Sequence, residues 1–118
     1  MGQTVSTLPV DREVLSAATD GDKAATKEIV SIYLLQGVKS VKELRSAVKR
    51  DDSQQVAALA HRFLGSSRFF GAKDIGKPLE ALLKMGRSKR LSAKAAGLVD
   101  LTEKEFLRID RFFKNLHE

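Results

Sequence analysis

One histidine near the middle of the chain, His61, stands among residue types that permit chemistry at a side-chain nitrogen. It lies in the run AHRFLGSS of residues 60–67, and the only other histidine is His117. An imidazole titrates near neutral pH and is nucleophilic when neutral. An exposed histidine can therefore accept a phosphoryl group from an acyl phosphate, provided that the protein positions the ring toward solvent.

The spacing of apolar residues around His61 predicts that it lies on the outer face of a helix. At 3.6 residues per turn, five small or apolar residues fall on one stripe about 80° wide. These residues are Val56, Ala60, Phe63, Ser67 and Phe70. His61 points about 140° away from the middle of that stripe, so we expect an exposed imidazole.

The residues one turn before and after His61 predict an open platform around the ring. They are Ala57, Ala58, Leu64 and Gly65, and three of these four are among the smallest residues. Arg62 and Arg68 are expected to add positive charge near the same face. A surface with so few side chains would let another protein approach the imidazole closely.

Other kinds of site lack the residues that they need. The chain has no cysteine, and its two histidines are too far apart in sequence for a zinc-binding pair. The run Gly65-Ser66-Ser67 does not have the spacing of a serine nucleophile elbow. There is no glycine-rich phosphate loop, which argues against an ATP site. We therefore predict no metal or cofactor site in this chain.

Capping residues, helix breakers and a three-and-four spacing of apolar residues predict five helices. Their approximate bounds are 11–19, 22–50, 52–71, 74–85 and 92–116. Asp11, Asp22 and Asp52 are the predicted N-caps of the first three helices. Gly71 and Gly86 are predicted to end the third and the fourth. The last helix has the predicted apolar stripe Leu98, Leu101, Phe106, Ile109, Phe113 and Leu116.

These elements predict an all-α fold, an antiparallel up-down-up-down four-helix bundle with a short extra N-terminal helix. No segment shows the sustained period-two alternation of a strand. We assign residues 9–118 to this one domain and residues 1–8 to a flexible tail. Gly37 lies inside the long second helix and predicts a bend there, because glycine costs about 1 kcal/mol relative to alanine in a helix.

The net charge of the chain is positive, and much of the excess is local. Twenty-one Lys and Arg against fifteen Asp and Glu give a net charge of +6. Lys84, Arg87, Lys89, Arg90 and Lys94 lie within twelve residues that contain no acid. Such a segment could meet nucleic acid, anionic lipid or an acidic protein surface. The favoured interpretation from sequence is a solvated basic loop.

Targeting signals are weak. No apolar run approaches the length that spans a bilayer, and the N-terminus lacks the apolar core of a signal peptide, so we expect a cytoplasmic protein without membrane association. The opening residues 1–6 fit the N-myristoylation pattern with Gly2 as acceptor. Because that pattern is short and common by chance, we expect an unmodified tail.

The segment around His61 also resembles a known motif. The pattern Ala-His-x-(apolar)-x-Gly-Ser-Ser-x-x-x-Gly-Ala is similar to the phosphorylation motif of histidine-containing phosphotransfer (HPt) domains. The matching positions are Ala60, His61, Phe63, Gly65, Ser66, Ser67, Gly71 and Ala72. Leu64 departs from the pattern, because the family usually has lysine three residues after the histidine.

The resemblance implies a monomeric phosphorelay intermediate that carries the phosphoryl group on His61. It implies response regulator receiver domains or a hybrid histidine kinase as partners, with Mg²⁺ on the receiver and no cofactor on this chain. Such a protein is a stoichiometric carrier and not a turnover enzyme. Leu64 keeps open an alternative, a degenerate HPt-fold adaptor that docks receivers without carrying phosphate. A small basic module for nucleic acid is the least favoured alternative.

Overall fold

The computed structural model describes residues 8–115, and the regular structure in that range is helical without a strand. The helices are α1 (Arg12–Ala18), α2 (Lys23–Lys49), α3 (Ser53–Phe69), α4 (Gly76–Arg87) and α5 (Ala95–Asn115). The predicted all-α fold with five helices is confirmed. The predicted tail before residue 8, the pattern at Gly2, and residues Leu116 and His117 lie outside the described residues.

The first three helices begin where the aspartates predicted. Asp11, Asp22 and Asp52 each accept a hydrogen bond from a backbone N–H in the first turn of α1, α2 and α3, at 3.0 to 3.3 Å. Those N–H groups have no partner inside their own helix, and a side-chain cap of this kind stabilises a helix by about 1 kcal/mol. Local sequence therefore decides where these helices start.

Helices α2 to α5 form the predicted four-helix bundle. Each packs against two neighbours: α3 contacts α2 and α4, and α5 contacts α4 and α2. Short connections between consecutive helices make the neighbours antiparallel. The short helix α1 sits against the end of α3, where the Asp11 N–H donates to the Phe70 carbonyl at 3.1 Å. No helix within residues 8–115 combines the length and apolar character needed to cross a membrane.

Two glycines allow helices to approach closely. Gly37 lies directly against the ring of Phe106 on α5, so any side chain there would collide with that ring. The helix α2 continues through Gly37 from residue 23 to 49, and the bend at this glycine stays a prediction. A Cβ on Gly86 would lie 2.7 Å from Ser53 O and from Ala57 N on α3. The prediction that Gly86 ends α4 is wrong: the helix continues to Arg87, and Gly86 serves the α3–α4 crossing.

The predicted stripe of α5 is correct at its C-terminal half and wrong at Leu101. Phe106, Ile109 and Phe113 are buried, but Leu101 is 49% exposed. Val99 and Thr102 are fully buried in its place. The Thr102 hydroxyl can be buried because it donates to the Leu98 carbonyl at 2.8 Å. A buried threonine with its hydroxyl satisfied inside the helix continues the core face where we expected a leucine.

Candidate functional site

Helix α3 presents His61 to solvent, as its phase predicted. Val56, Ala60, Phe63 and Ser67 on the opposite side of the helix are at most 2% exposed. His61 itself is exposed and lies near the middle of the helix. The imidazole therefore projects from a rigid element anchored along its whole length in the core.

A buried hydrogen bond holds α3 against α2 below this site. The Tyr33 and Ser67 hydroxyls lie 2.8 Å apart across the two helices. Burial raises the pKa of Tyr33 to about 12, although the hydrogen bond to Ser67 acts in the opposite direction. The Tyr33 ring also packs 4.4 Å from the ring centroid of Phe70. We predicted Ser67 only as a small packing residue, and its role as a hydrogen-bond partner was missed.

The other polar and small residues of the motif have local structural roles. Ser66 donates its hydroxyl to the Phe63 carbonyl of the same helix at 3.1 Å. Gly71 has φ +66, and its N–H donates to the Arg68 carbonyl while the Ala72 N–H donates to Ser67 O. This is the hydrogen-bond pattern that ends many helices, and a left-handed residue is required at Gly71. The motif thus combines the exposed histidine with the residues that end its helix.

Part of the predicted platform is open. Gly65 and Ala58 are exposed on the same side of α3 as His61. A Cβ on Gly65 would meet no atom of the described chain within 4 Å. Directly beside the imidazole, at Gly65 and Ala58, a partner therefore meets no side chain larger than a methyl group.

Two predicted platform residues belong instead to the contact with α4. Leu64 is only 3% exposed, and its Cδ1 is 3.6 Å from where a Cβ on Gly76 would lie. Ala57 is half-buried where Gly86 crosses α3. The prediction that Leu64 lines an exposed platform is wrong, whereas Ala57 lies at its edge, partly covered by α4. Because α3 has a helix on each flank, its buried arc is wider than the central stripe.

The two predicted arginines are exposed but lie on opposite flanks of the histidine. Arg62 borders a groove of about 200 Å³ between α2 and α3, together with Lys39 and Glu43. Arg68 forms an ion pair with Glu80 of α4, with 3.2 Å between Nη2 and Oε1. Both side chains of that pair are more than half exposed, so it stabilises the fold by at most about 1 kcal/mol. Glu80 was not predicted, because it lies on another helix and nothing in the local sequence links it to the histidine.

Residues 8–115 contain no group of three or more His, Cys, Asp or Glu side chains placed to hold a metal ion. The arrangement offers one exposed nitrogen nucleophile, open space beside it, and exposed cations on both flanks. An exposed nitrogen of this kind is accessible to a reactive group that a second protein carries.

Comparisons with known proteins agree with this arrangement. The sequence model of the Hpt domain family matches residues 28–112, a range that runs from α2 into α5 and includes all of α3. The structure is similar to the crystal structure of histidine-containing phosphotransfer protein B (HptB) from Pseudomonas aeruginosa PAO1. The TM-score is 0.85 at 23% identity, over 92% of this chain and 94% of that one. No curated protein sequence matches the chain. With the family model covering most of its length, the chain belongs to the Hpt domain family.

Proposed function

We propose that this protein is a phosphorelay intermediate that accepts a phosphoryl group on His61 from a receiver-domain aspartate and passes it to another response regulator, or drains it. The observation that carries this proposal is the exposed His61 imidazole at the middle of α3, with open space beside it at Gly65. The membership of the chain in the Hpt domain family supports the same role.

The transfer step needs little from this chain. An unprotonated imidazole nitrogen of His61 attacks the phosphorus of the aspartyl phosphate, a P–N bond forms, and the P–O bond to the aspartate breaks. The carboxylate leaves with the electron pair, and the phosphorylated ring keeps its proton on the other nitrogen. Phosphoryl transfer depends mainly on positioning and charge stabilisation. The reverse step, onto a second aspartate, uses the same geometry.

The groups around His61 indicate what this protein and its partner would each contribute to the transfer. Helix α3 supplies a fixed nitrogen and Gly65 supplies room, while Arg62 and Arg68 are the nearest exposed cations on its own helix. Mg²⁺ and a lysine are expected on the partner receiver, where they would neutralise the phosphoryl oxygens. Leu64 is buried and has no charge, so the position three residues after His61 contributes no cation.

The absence of that cation is the reason to retain the adaptor as a second candidate. In the adaptor, the same surface would dock receivers while His61 stays unmodified. The two candidates differ in whether the chain ever carries phosphate, because both predict receiver binding.

The deciding experiment is transfer from a panel of purified receiver domains, each phosphorylated with acetyl phosphate. We expect a phosphoramidate that is labile to acid and stable to base, and its loss in His61→Gln. His117→Gln is the matched control, because it removes the other histidine, and it should be labelled like the wild type. Circular dichroism and the melting temperature should be nearly the same in both variants.

Labelling that persists in His61→Gln would refute the assignment of the acceptor. Binding of receivers by the wild type without any labelling would favour the adaptor.

A further inference from the structure

The α2–α3 turn and the α4–α5 loop lie at the same end of the bundle. Gly86, near the end of α4, touches Ser53 and Ala57 at the start of α3. Arg45, in the second half of α2, bonds Asp100 near the start of α5, with 2.7 Å between Nη1 and Oδ1. The ends of α2 and α4 and the starts of α3 and α5 are therefore neighbours in space.

The lysines and arginines at this end of the bundle are exposed. Seven cations lie there, and we refer to them together as the basic end: Lys49, Arg50, Lys84, Arg87, Lys89, Arg90 and Lys94. All seven are exposed, and the two carboxylates among them are Asp51 and Asp52. One of these, Asp52, is already used as the N-cap of α3. The basic segment seen in the sequence thus joins a second basic turn that lies far from it along the chain.

Among the described residues, four cations outside the basic end are held in ion pairs, whereas those of the basic end are not. Arg45, Arg68, Arg108 and Lys114 each contact a carboxylate within 4 Å. Within the described part of the chain, no cation of the basic end forms such an ion pair with a carboxylate. Seven cations against two carboxylates leave the basic end with an excess of positive charge.

Helix-end electrostatics favours most of these cations but not Lys94, and Lys89 has an unfavourable backbone conformation. Lysine and arginine near the ends of α2 and α4 are favoured by the helix dipole. Lys94, in contrast, directly precedes the start of α5, where the dipole disfavours a cation. Lys89 has φ +59 at the position after the end of α4, where its N–H donates to Gly86 O. Glycine is the favoured residue in this left-handed conformation, so a charged lysine at this position adds backbone strain.

The basic end lies within reach of any protein docked on His61. Ser53, at the start of α3, is eight residues from His61, which corresponds to about 12 Å along the helix. A partner domain of about 100 residues has a radius of gyration of about 13 Å. A partner of that size centred on His61 would therefore extend over the basic end.

We propose that the basic end steers the phosphoryl-exchanging partner onto His61 by attracting an acidic surface of that partner. This inference rests on the proposed function and adds a second contact surface to it. The composition of the surface favours a folded acidic protein over nucleic acid or a membrane. Among the described residues, no aromatic or large apolar side chain is exposed in segments 49–53 or 84–94. The basic end therefore has no aromatic ring to stack on bases and no apolar side chain to insert into lipid, and its attraction is electrostatic.

The test compares two double variants that change the net charge equally. Arg90→Glu with Lys94→Glu removes charge from the basic end, and Lys23→Glu with Lys27→Glu removes it from the first turns of α2, at the opposite end. Association and dissociation rates with a panel of purified receiver domains are measured by stopped flow at about 0.02, 0.15 and 0.5 M salt. Single-turnover transfer is measured at saturating receiver.

We expect the basic-end variant to associate about tenfold more slowly at the lowest salt and less than twofold more slowly at the highest. Its dissociation rate and its transfer rate at saturation should match the wild type. The control variant should associate within about twofold of the wild type. Lys89→Gly should melt no lower than the wild type and still associate about twofold more slowly, which excludes unfolding as the cause.

Equal slowing of both double variants would overturn the inference, because net charge and not its location would matter. Unchanged association of the basic-end variant would overturn it as well. Double-stranded DNA or phosphatidylglycerol vesicles serve as further probes. Binding to either that is lost only in the basic-end variant, with receiver association unaffected, would assign the surface to a different polyanion. If the basic-end variant transfers phosphate and associates at the wild-type rate, only the steering is refuted. If the wild type neither binds any receiver nor is labelled by one, the proposed function is refuted.

Discussion

Replacing Leu64 with lysine would restore the residue that the Hpt family usually carries, but at a position that is buried in this protein. Leu64 is 3% exposed and packs beside Gly76 on α4. The position of a Cβ on Gly76 is also 4.0 Å from Glu80 Oε1. The ammonium group of a lysine that follows the path of Leu64 would therefore leave the core close to the Glu80 carboxylate.

The expected cost in stability follows from that geometry. Truncation of a buried leucine to alanine costs about 2–5 kcal/mol, because it removes packing and leaves a cavity. A lysine keeps its methylene stem in the same space and places its charge at the surface, so Leu64→Lys should cost only about 1–2 kcal/mol. For a domain of this size, that is a fall in melting temperature of roughly 4 °C per kcal/mol.

The assay is urea denaturation of the wild type, Leu64→Ala and Leu64→Lys, followed by the steady-state phosphorylated fraction of His61. We expect Leu64→Lys to be more stable than Leu64→Ala. Its phosphorylated fraction should rise by up to about fivefold, the range of an exposed ion pair. The rise should be larger with Glu80→Gln, because Glu80 would no longer hold the ammonium group. A Leu64→Lys protein less stable than Leu64→Ala would refute the proposed exit toward Glu80.

Three further predictions concern stability, and a fourth concerns the transfer rate. Tyr33→Phe and Ser67→Ala should each cost about 1–2 kcal/mol, and the double variant should cost less than their total in urea denaturation. Burial raises the pKa of Tyr33 to about 12. The Tyr33 hydroxyl therefore keeps its proton in the folded state but loses it above about pH 10 in the unfolded state. For this reason the free energy of unfolding should fall between about pH 10 and 12. That fall should be smaller in Tyr33→Phe, and an identical pH profile would contradict the assignment. Gly86→Ala should destabilise the protein by about 1–3 kcal/mol, because the added methyl group forces α3 and α4 apart. The matched variant Gly65→Ala should stabilise the protein by up to about 1 kcal/mol. Gly65→Leu should slow phosphoryl transfer. Equal melting temperatures for the two alanine variants would show that the α3–α4 crossing adjusts at no cost.

The local features of the fold were determined by the sequence. Asp11, Asp22 and Asp52 cap their helices because each needs only a backbone N–H two or three residues away. The exposure of His61 followed from helix periodicity, since the residues on the opposite side of α3 are apolar or small. The bundle itself followed from four long helical segments with short connections, which leave few other arrangements that bury every apolar face.

Features that involve a second helix were decided only by the tertiary structure. Leu64 could be placed on α3 from sequence, but its burial depends on where α4 packs. The Arg68–Glu80 ion pair and the joining of two basic segments into one end likewise depend on the alignment of neighbouring helices. Periodicity within one helix gives the direction of each side chain but not the width of the arc that its neighbours cover. For that physical reason the sequence identified the exposed histidine, whereas the structure showed which of its neighbours remain exposed beside it.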